Sequence, residues 1–98
     1  MFGLSDSDYR FISTLLSPLA RTGTKVWCFG SRARGDHYEF SDLDLMLESP
    51  NDLSREIGEL KEAFEESRIP IKVDLVQDRN FAEAYRASYL KDRKLFFK

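Results

Sequence analysis

Residues 28–48 read CFGSRARGDHYEFSDLDLMLE, and most of the residues able to do chemistry are gathered there. Asp42 and Asp44 stand two apart in an alternating run, with Leu43, Leu45 and Leu47 set against Asp42, Asp44 and Met46. Residues two apart in a strand share a face, so the pattern sends the leucines to a core and projects both carboxylates together. Two adjacent carboxylates call for a cation, and a hard divalent ion such as Mg²⁺ takes carboxylate oxygens while sharing substrate phosphates. Asp74, placed mid-strand on a polar face in IPIKVDLVQ, is the natural third ligand.

Gly30 and Ser31 come directly after the β-favouring run KVWCF. A glycine at that point lets backbone N–H groups approach a phosphate closely, and the serine hydroxyl adds a donor. Arg32 and Arg34 supply planar guanidinium donors beside them. Anion donors at one end and metal-seeking carboxylates at the other are what a metal-bound nucleoside triphosphate requires. For Arg32 there are two readings: neutralising a leaving pyrophosphate, or an ion pair with Asp36 or Glu39. His37 and Tyr38 lie in the same loop, either stacking on an adenine or acceptor or simply solvated, and Phe40 reads as core or loop packing.

The elements that must position these groups can be read on either side. SDSDYRFISTLLSPLARTG carries Ile12, Leu15, Leu16 and Leu19 at helical spacing behind N-capping residues, and Pro18 is expected to kink that helix or end it a turn early. KVWCF and SDLDLMLE read as strands. Leu53, Ile57, Leu60 and Phe64 repeat at four, three and four, which predicts a second helix. A third strand places Ile71, Val73 and Leu75 on one face, with Lys72, Asp74 and Val76 on the other. Phe81, Ala84, Tyr85 and Ser88 share one side of a last helix, followed by the apolar-basic tail KLFFK. The order helix, strand, strand, helix, strand, helix predicts an α/β (α+β) domain, residues 1–98, with a short mixed sheet of about three to four strands packed by helices.

With 98 residues, 42% hydrophobic and 33% charged, the composition is that of one ordinary globular domain. A net charge of −2, from 15 basic against 17 acidic side chains, argues against duplex nucleic acid or an anionic membrane as partner. No stretch approaches the roughly 18 apolar residues of a membrane span, and no basic-then-apolar leader opens the chain. The lone Cys28, in an apolar run, excludes an intramolecular disulfide and reads as a small buried hydrophobe in a reducing, cytoplasmic setting.

GSRARGDHYEFSDLDL resembles the Gly-Ser, ten-residue gap, Asp-x-Asp signature of the DNA polymerase β-like nucleotidyltransferase superfamily, in its minimal form. KVDLV downstream agrees with it. The resemblance implies the nucleotidyltransferase fold, with Asp42 and Asp44 binding two Mg²⁺ ions and Asp74 completing the site of the ion that activates the acceptor hydroxyl. Asp74 is also the candidate general base, unless ionisation of the hydroxyl at the metal makes a separate base unnecessary. Gly30 and Ser31 would hold the β- and γ-phosphates of ATP, with Arg32 and Arg34 beside them. A short chain implies an open site completed by a partner, either another copy or a separate helical protein. Minimal nucleotidyltransferases of this kind pair with small helical HEPN-type proteins in toxin-antitoxin systems, where the nucleotidyltransferase is the antitoxin and transfers AMP to a tyrosine. Tyr85, Tyr89 and KLFFK offer either a partner-facing patch or core packing. Two other readings are a small-molecule acceptor such as an antibiotic, and a contact antitoxin without turnover.

Overall fold

The computed structural model describes residues 1–97. The first helix, α1 (Asp6–Arg21), begins where the Ser5 hydroxyl accepts the Asp8 N–H at 3.1 Å. It buries Ile12, Leu16 and Leu19. Of the two outcomes expected at Pro18, the early end does not occur: helix continues to Arg21. The reason is local. Pro18 cannot donate to the Thr14 carbonyl four residues back, and the Ser17 hydroxyl donates to that carbonyl instead, at 2.8 Å.

Four strands follow in the sheet order β3-β2-β1-β4. They are β1 (Lys25–Phe29), β2 (Leu43–Glu48), β3 (Val73–Gln77) and β4 (Lys94–Leu95). β1 is antiparallel to both β2 and β4, whereas β2 and β3 are parallel. A parallel pair needs a crossover, which here is α3 (Ser54–Glu65). A four-residue helix, α2 (Ser31–Arg34), joins β1 to the loop before β2. Two 3-10 turns, Asp78–Asn80 and Glu83–Tyr85, lead into α4 (Arg86–Asp92).

One sheet face carries the main core. Val26 and Cys28, the three leucines of β2, and Val73 and Leu75 meet α1 and α3 there. Burial pushes the Cys28 thiol up to about 12, so it stays protonated and acts as an apolar filler. The N-cap of α3 is Leu53, which has no capping side chain, and buried Gln77 supplies what is missing. Its Oε1 accepts the Leu53 N–H at 2.8 Å and its Nε2 donates to Asp52 at 3.1 Å.

The other face differs from the expected polar one. Met46 is fully buried, because β2 is an inner strand and Met46 sits between Trp27 and Val76 in register. The last helix is also shorter than its periodicity suggested, being two turns of 3-10 followed by seven residues of α-helix. The KLFFK tail is an edge strand followed by a core residue. Phe96 is wholly buried, packs against the rings of Phe2 and Tyr9, and accepts a hydrogen bond from the Tyr9 hydroxyl at its carbonyl. Lys98, the last residue of that tail, lies outside the described residues. Among the described residues no helix is long and apolar enough to cross a membrane.

Candidate active site

The candidate site forms where three strands bring one residue each into line. Phe29 on β1 is the register partner of Asp44 on β2, and Asp44 is the register partner of Asp74 on β3. Paired residues project to the same side of a sheet, so Phe29, Asp44 and Asp74 form a row on the face away from the main core. Asp42 precedes β2, exposed, with its carboxylate two residues from that of Asp44. The start of β2 is tied to the segment entering β3 by the Leu43 N–H, which donates to the Lys72 carbonyl at 2.9 Å.

The charge state of Asp44 records the crowding. Burial raises its carboxyl above the ordinary 3.8, and the neighbouring charges of Asp74 and then Asp42 add to the shift, while Lys72 and Arg34 oppose it. A half-buried carboxylate facing two others is a site short of positive charge. Lys72 meets part of that need through Asp74, Nζ to Oδ1 at 3.3 Å, in an exposed pair. Among the described residues no three such groups stand as a ready-made metal cage. The donor chemistry, carboxylate oxygens on adjacent strands with unrelieved negative charge, fits a hard divalent cation.

Gly30 closes against this row. Its φ is +75° with ψ −157°, a conformation that L side chains rarely adopt, and a Cβ there would stand 2.6 Å from Asp44 Oδ2. The glycine thus lets the β1–α2 turn lie on the carboxylate. Ser31 starts α2, whose first-turn N–H groups have no partners within the helix.

The two arginines occupy different places. Arg32 is only 3% exposed and its guanidinium donates to the carbonyls of Ser41, Phe2 and Glu39, each at 3.0 Å. It pins the loop that delivers Asp42, which makes it a positioning residue as it stands. Arg34 makes the ion pair the sequence had offered to Arg32: its Nε meets Asp36 Oδ2 at 3.1 Å and its Nη1 meets Asp92 Oδ2 at 3.5 Å. Arg34, partly exposed, is also the arginine whose charge acts on Asp44.

His37 packs against Gly3, where a Cβ would fall on its ring, and lines a pocket with Arg32 and Lys94 that includes none of the three aspartates. Tyr38 and Phe40 point to solvent, so Phe40 is neither core nor loop packing. The sequence reading missed the aromatic flank of the row, Phe29 with Phe81 and Tyr89, and the partner of Arg34, Asp92. The one available signal was the aromatic end of KVWCF, one residue before Gly30.

Replacing Arg32 by Ala is expected to lower stability by about 2 kcal/mol or more, because three carbonyls lose a charged donor at once. Urea unfolding should show the loss as a lower midpoint at unchanged slope. Arg32→Lys should recover little of it, since one ammonium does not reproduce the planar fork. A fully stable Arg32→Ala would show that the guanidinium is free for other use.

Comparison with known proteins addresses the chain as a whole. A family model described as "Nucleotidyltransferase domain" matches residues 10–96. A Haemophilus influenzae protein named "Probable protein adenylyltransferase MntA" is 40% identical over 86 residues, covering 85% of this chain and 73% of that one. Among solved structures, one described as a "putative minimal nucleotidyltransferase" is 32% identical with a TM-score of 0.67, covering 91% of this chain and 92% of the other. A toxin-antitoxin crystallised with AMP-PNP shares the fold at 19% identity and a TM-score of 0.60, over 87% of this chain and 72% of that one.

Proposed function

The chain belongs to the nucleotidyltransferase family, as an enzyme of its minimal type, and on that premise we propose that it transfers AMP from ATP to a protein hydroxyl. The acceptor in this reading is a tyrosine of a small helical HEPN-type partner, and the pair forms a toxin-antitoxin system with this chain as the antitoxin. The observation that carries the chemistry is the carboxylate row, Asp44 opposite Asp74 with Asp42 beside them and Gly30 closed against Asp44. Similarity to a protein named as an adenylyltransferase supports the AMP donor and the protein acceptor.

Each residue then has a task. Gly30 and Ser31 present backbone N–H groups and a hydroxyl to the β- and γ-phosphates. Arg34, partly exposed, adds positive charge at the leaving end. Asp42, Asp44 and Asp74 would hold Mg²⁺, two ions in this reading, and the metal when bound supplies Lewis-acid charge to the α-phosphate and to both oxygens of the displacement. The acceptor oxygen forms its bond to the α-phosphorus as the bond to the β-phosphate bridge breaks. Pyrophosphate leaves past Gly30 and Ser31, and the acceptor proton passes to Asp74. Arg32 serves by holding the loop that ends at Asp42.

Intact-mass spectrometry of the partner after incubation with this chain, ATP and Mg²⁺ tests the reading. The expected result is a gain of one or more AMP units, located on a tyrosine and lost when the metal is chelated. ATP turnover with no modified protein would move the acceptor to a small molecule. A stable complex without turnover would make the chain a contact antitoxin.

A further inference from the structure

A cavity of about 290 Å³ lies between the N-terminal segment, α2 with its exit as far as His37, and Lys94 of β4. It is on the far side of the sheet from the carboxylates. Lys94 is the register partner of Cys28, whereas Asp44 is the register partner of Phe29, the next residue of β1. Successive residues of a strand project to opposite faces, so Lys94 and the carboxylate row stand on opposite sides.

The ionisable side chains that line the cavity, among the described residues, are all basic: Arg32, Arg34, His37 and Lys94. Arg34 is committed to Asp36 and Asp92, which leaves the other three. Among the described residues neither Arg32 nor Lys94 pairs with a carboxylate. A guanidinium has five N–H donors, and the carbonyls that hold Arg32 take one from each nitrogen, so Nη1 and Nη2 each keep one. His37 Nδ1 is buried and has no hydrogen-bond partner among the described residues, a condition that buried polar atoms rarely keep. These groups converge. The point at which a side chain on Gly3 would begin lies on the His37 ring and 3.0 Å from Arg32 Nη1. Arg32 and Lys94 both stand near enough to Cys28 to act on its thiol.

We propose that this cavity is a second anion site, which takes the phosphate group of a small ligand between Lys94, His37 and the remaining N–H groups of Arg32, without a metal. Charge is the first support, since two cations lacking carboxylate partners attract a phosphate dianion strongly in a partly buried place. Shape is the second, because a tetrahedral phosphate offers oxygens to donors arriving from three elements at once. Size is the third: the volume is at the lower end of the roughly 300–1,000 Å³ typical of ligand pockets, which suits a free phosphate or a small ester. The site stands independently of the transfer reading, whose phosphates belong to Gly30 and Ser31 on the other side. Its consequence for that reading is mechanical, because Arg32 holds the carbonyls of Glu39 and Ser41, and an anion bound to Arg32 and His37 braces the loop that ends at Asp42.

Titration of the full chain with inorganic phosphate, in the presence of a chelator and against chloride at equal ionic strength, tests the site by calorimetry and by thermal midpoint. Saturable binding is expected, with a rise in midpoint that chloride does not produce. Lys94→Gln, at an exposed position, should weaken phosphate by about tenfold, the loss of one charge-assisted hydrogen bond, and Lys94→Arg should restore most of it. His37→Phe, which keeps a ring against Gly3 but removes both nitrogens, should also weaken it. Ser31→Ala should leave it unchanged. Glycerol 3-phosphate titrated in the same way separates the two forms of the ligand: the tighter of the two, weakened by Lys94→Gln, identifies a free ion or an ester as what the site takes. Absence of saturable binding overturns the proposal, as does binding untouched by Lys94→Gln and His37→Phe. Binding lost in Ser31→Ala alone would assign the anion to the β1–α2 turn and overturn it too, with the transfer reading left standing.

Discussion

Asp44→Asn is expected to cut AMP transfer by about three decades or more and, in the same protein, to raise the thermal midpoint. The loss follows from charge. The amide keeps the shape of the carboxylate but removes the negative charge that would hold the cation, and the cation's contribution at a reacting phosphate is several kcal/mol, at 1.36 kcal/mol per decade of rate. The gain follows from the same charge. Burial, then Asp74 and Asp42, hold the Asp44 carboxyl above its ordinary 3.8, so the folded state carries a carboxylate that its surroundings disfavour. Single stabilising substitutions commonly yield about 0.5–2 kcal/mol, and each 1 kcal/mol is about 4–8 °C for a domain of this size. The sign with pH can be worked out. A raised folded-state value means that the charge destabilises the fold fully above that value, and that the penalty fades as pH falls through it towards 3.8. The stability gap between variant and wild type should therefore be widest near neutrality and close on acidification. Melting curves across that range, beside intact-mass kinetics, check both halves. A variant that is inactive but less stable at neutral pH would mean that Asp44 is held by favourable contacts, and undiminished transfer would remove it from the site.

What was legible in advance was what short-range pattern encodes. Alternation in LDLMLE placed Leu43, Leu45 and Leu47 in the core and turned Asp44 outward, because period two is a local property of a strand. The same alternation failed at Met46, whose burial depends on two neighbouring strands and so cannot be read from its own. That the helix runs on past Pro18 was hidden for a similar reason, since the rescue comes from the hydroxyl of the preceding residue and not from helix propensity. The arginines show the limit most clearly. Type and spacing offered both as phosphate donors and gave the leaving pyrophosphate to Arg32, but the fold buries Arg32 under the carbonyls of Phe2, Glu39 and Ser41 and leaves Arg34 beside Asp36 and Asp92. Asp92 and the rings of Phe81 and Tyr89 reach the site from far along the chain, and nothing in a local window marks them as neighbours of Phe29.

Gly30→Ala is expected to damage both the fold and the reaction, through two separable effects. One is backbone strain. At φ +75° and ψ −157° the residue occupies a region open essentially to glycine alone, which costs a non-glycine residue about 1–3 kcal/mol. The other is contact, because the new Cβ would stand 2.6 Å from Asp44 Oδ2 and the carboxylate must move. A displacement of about 1 Å in a reacting group can cost about a hundredfold in rate, so transfer should fall by about that much even in the folded fraction. Gly35→Ala is the control for strain: its φ is +89°, but nothing lies within 4 Å of its added Cβ, and it should lose stability without a comparable loss of rate. A double-mutant cycle isolates the contact in the stability measurement. In an Asp44→Ala background the carboxylate is gone, so Gly30→Ala should cost only the strain, and the two substitutions should be less destabilising together than the sum of each alone. Strict additivity would mean that the turn does not rest on Asp44, and the close approach that brings the β1–α2 turn and the carboxylates into one site would have to be abandoned.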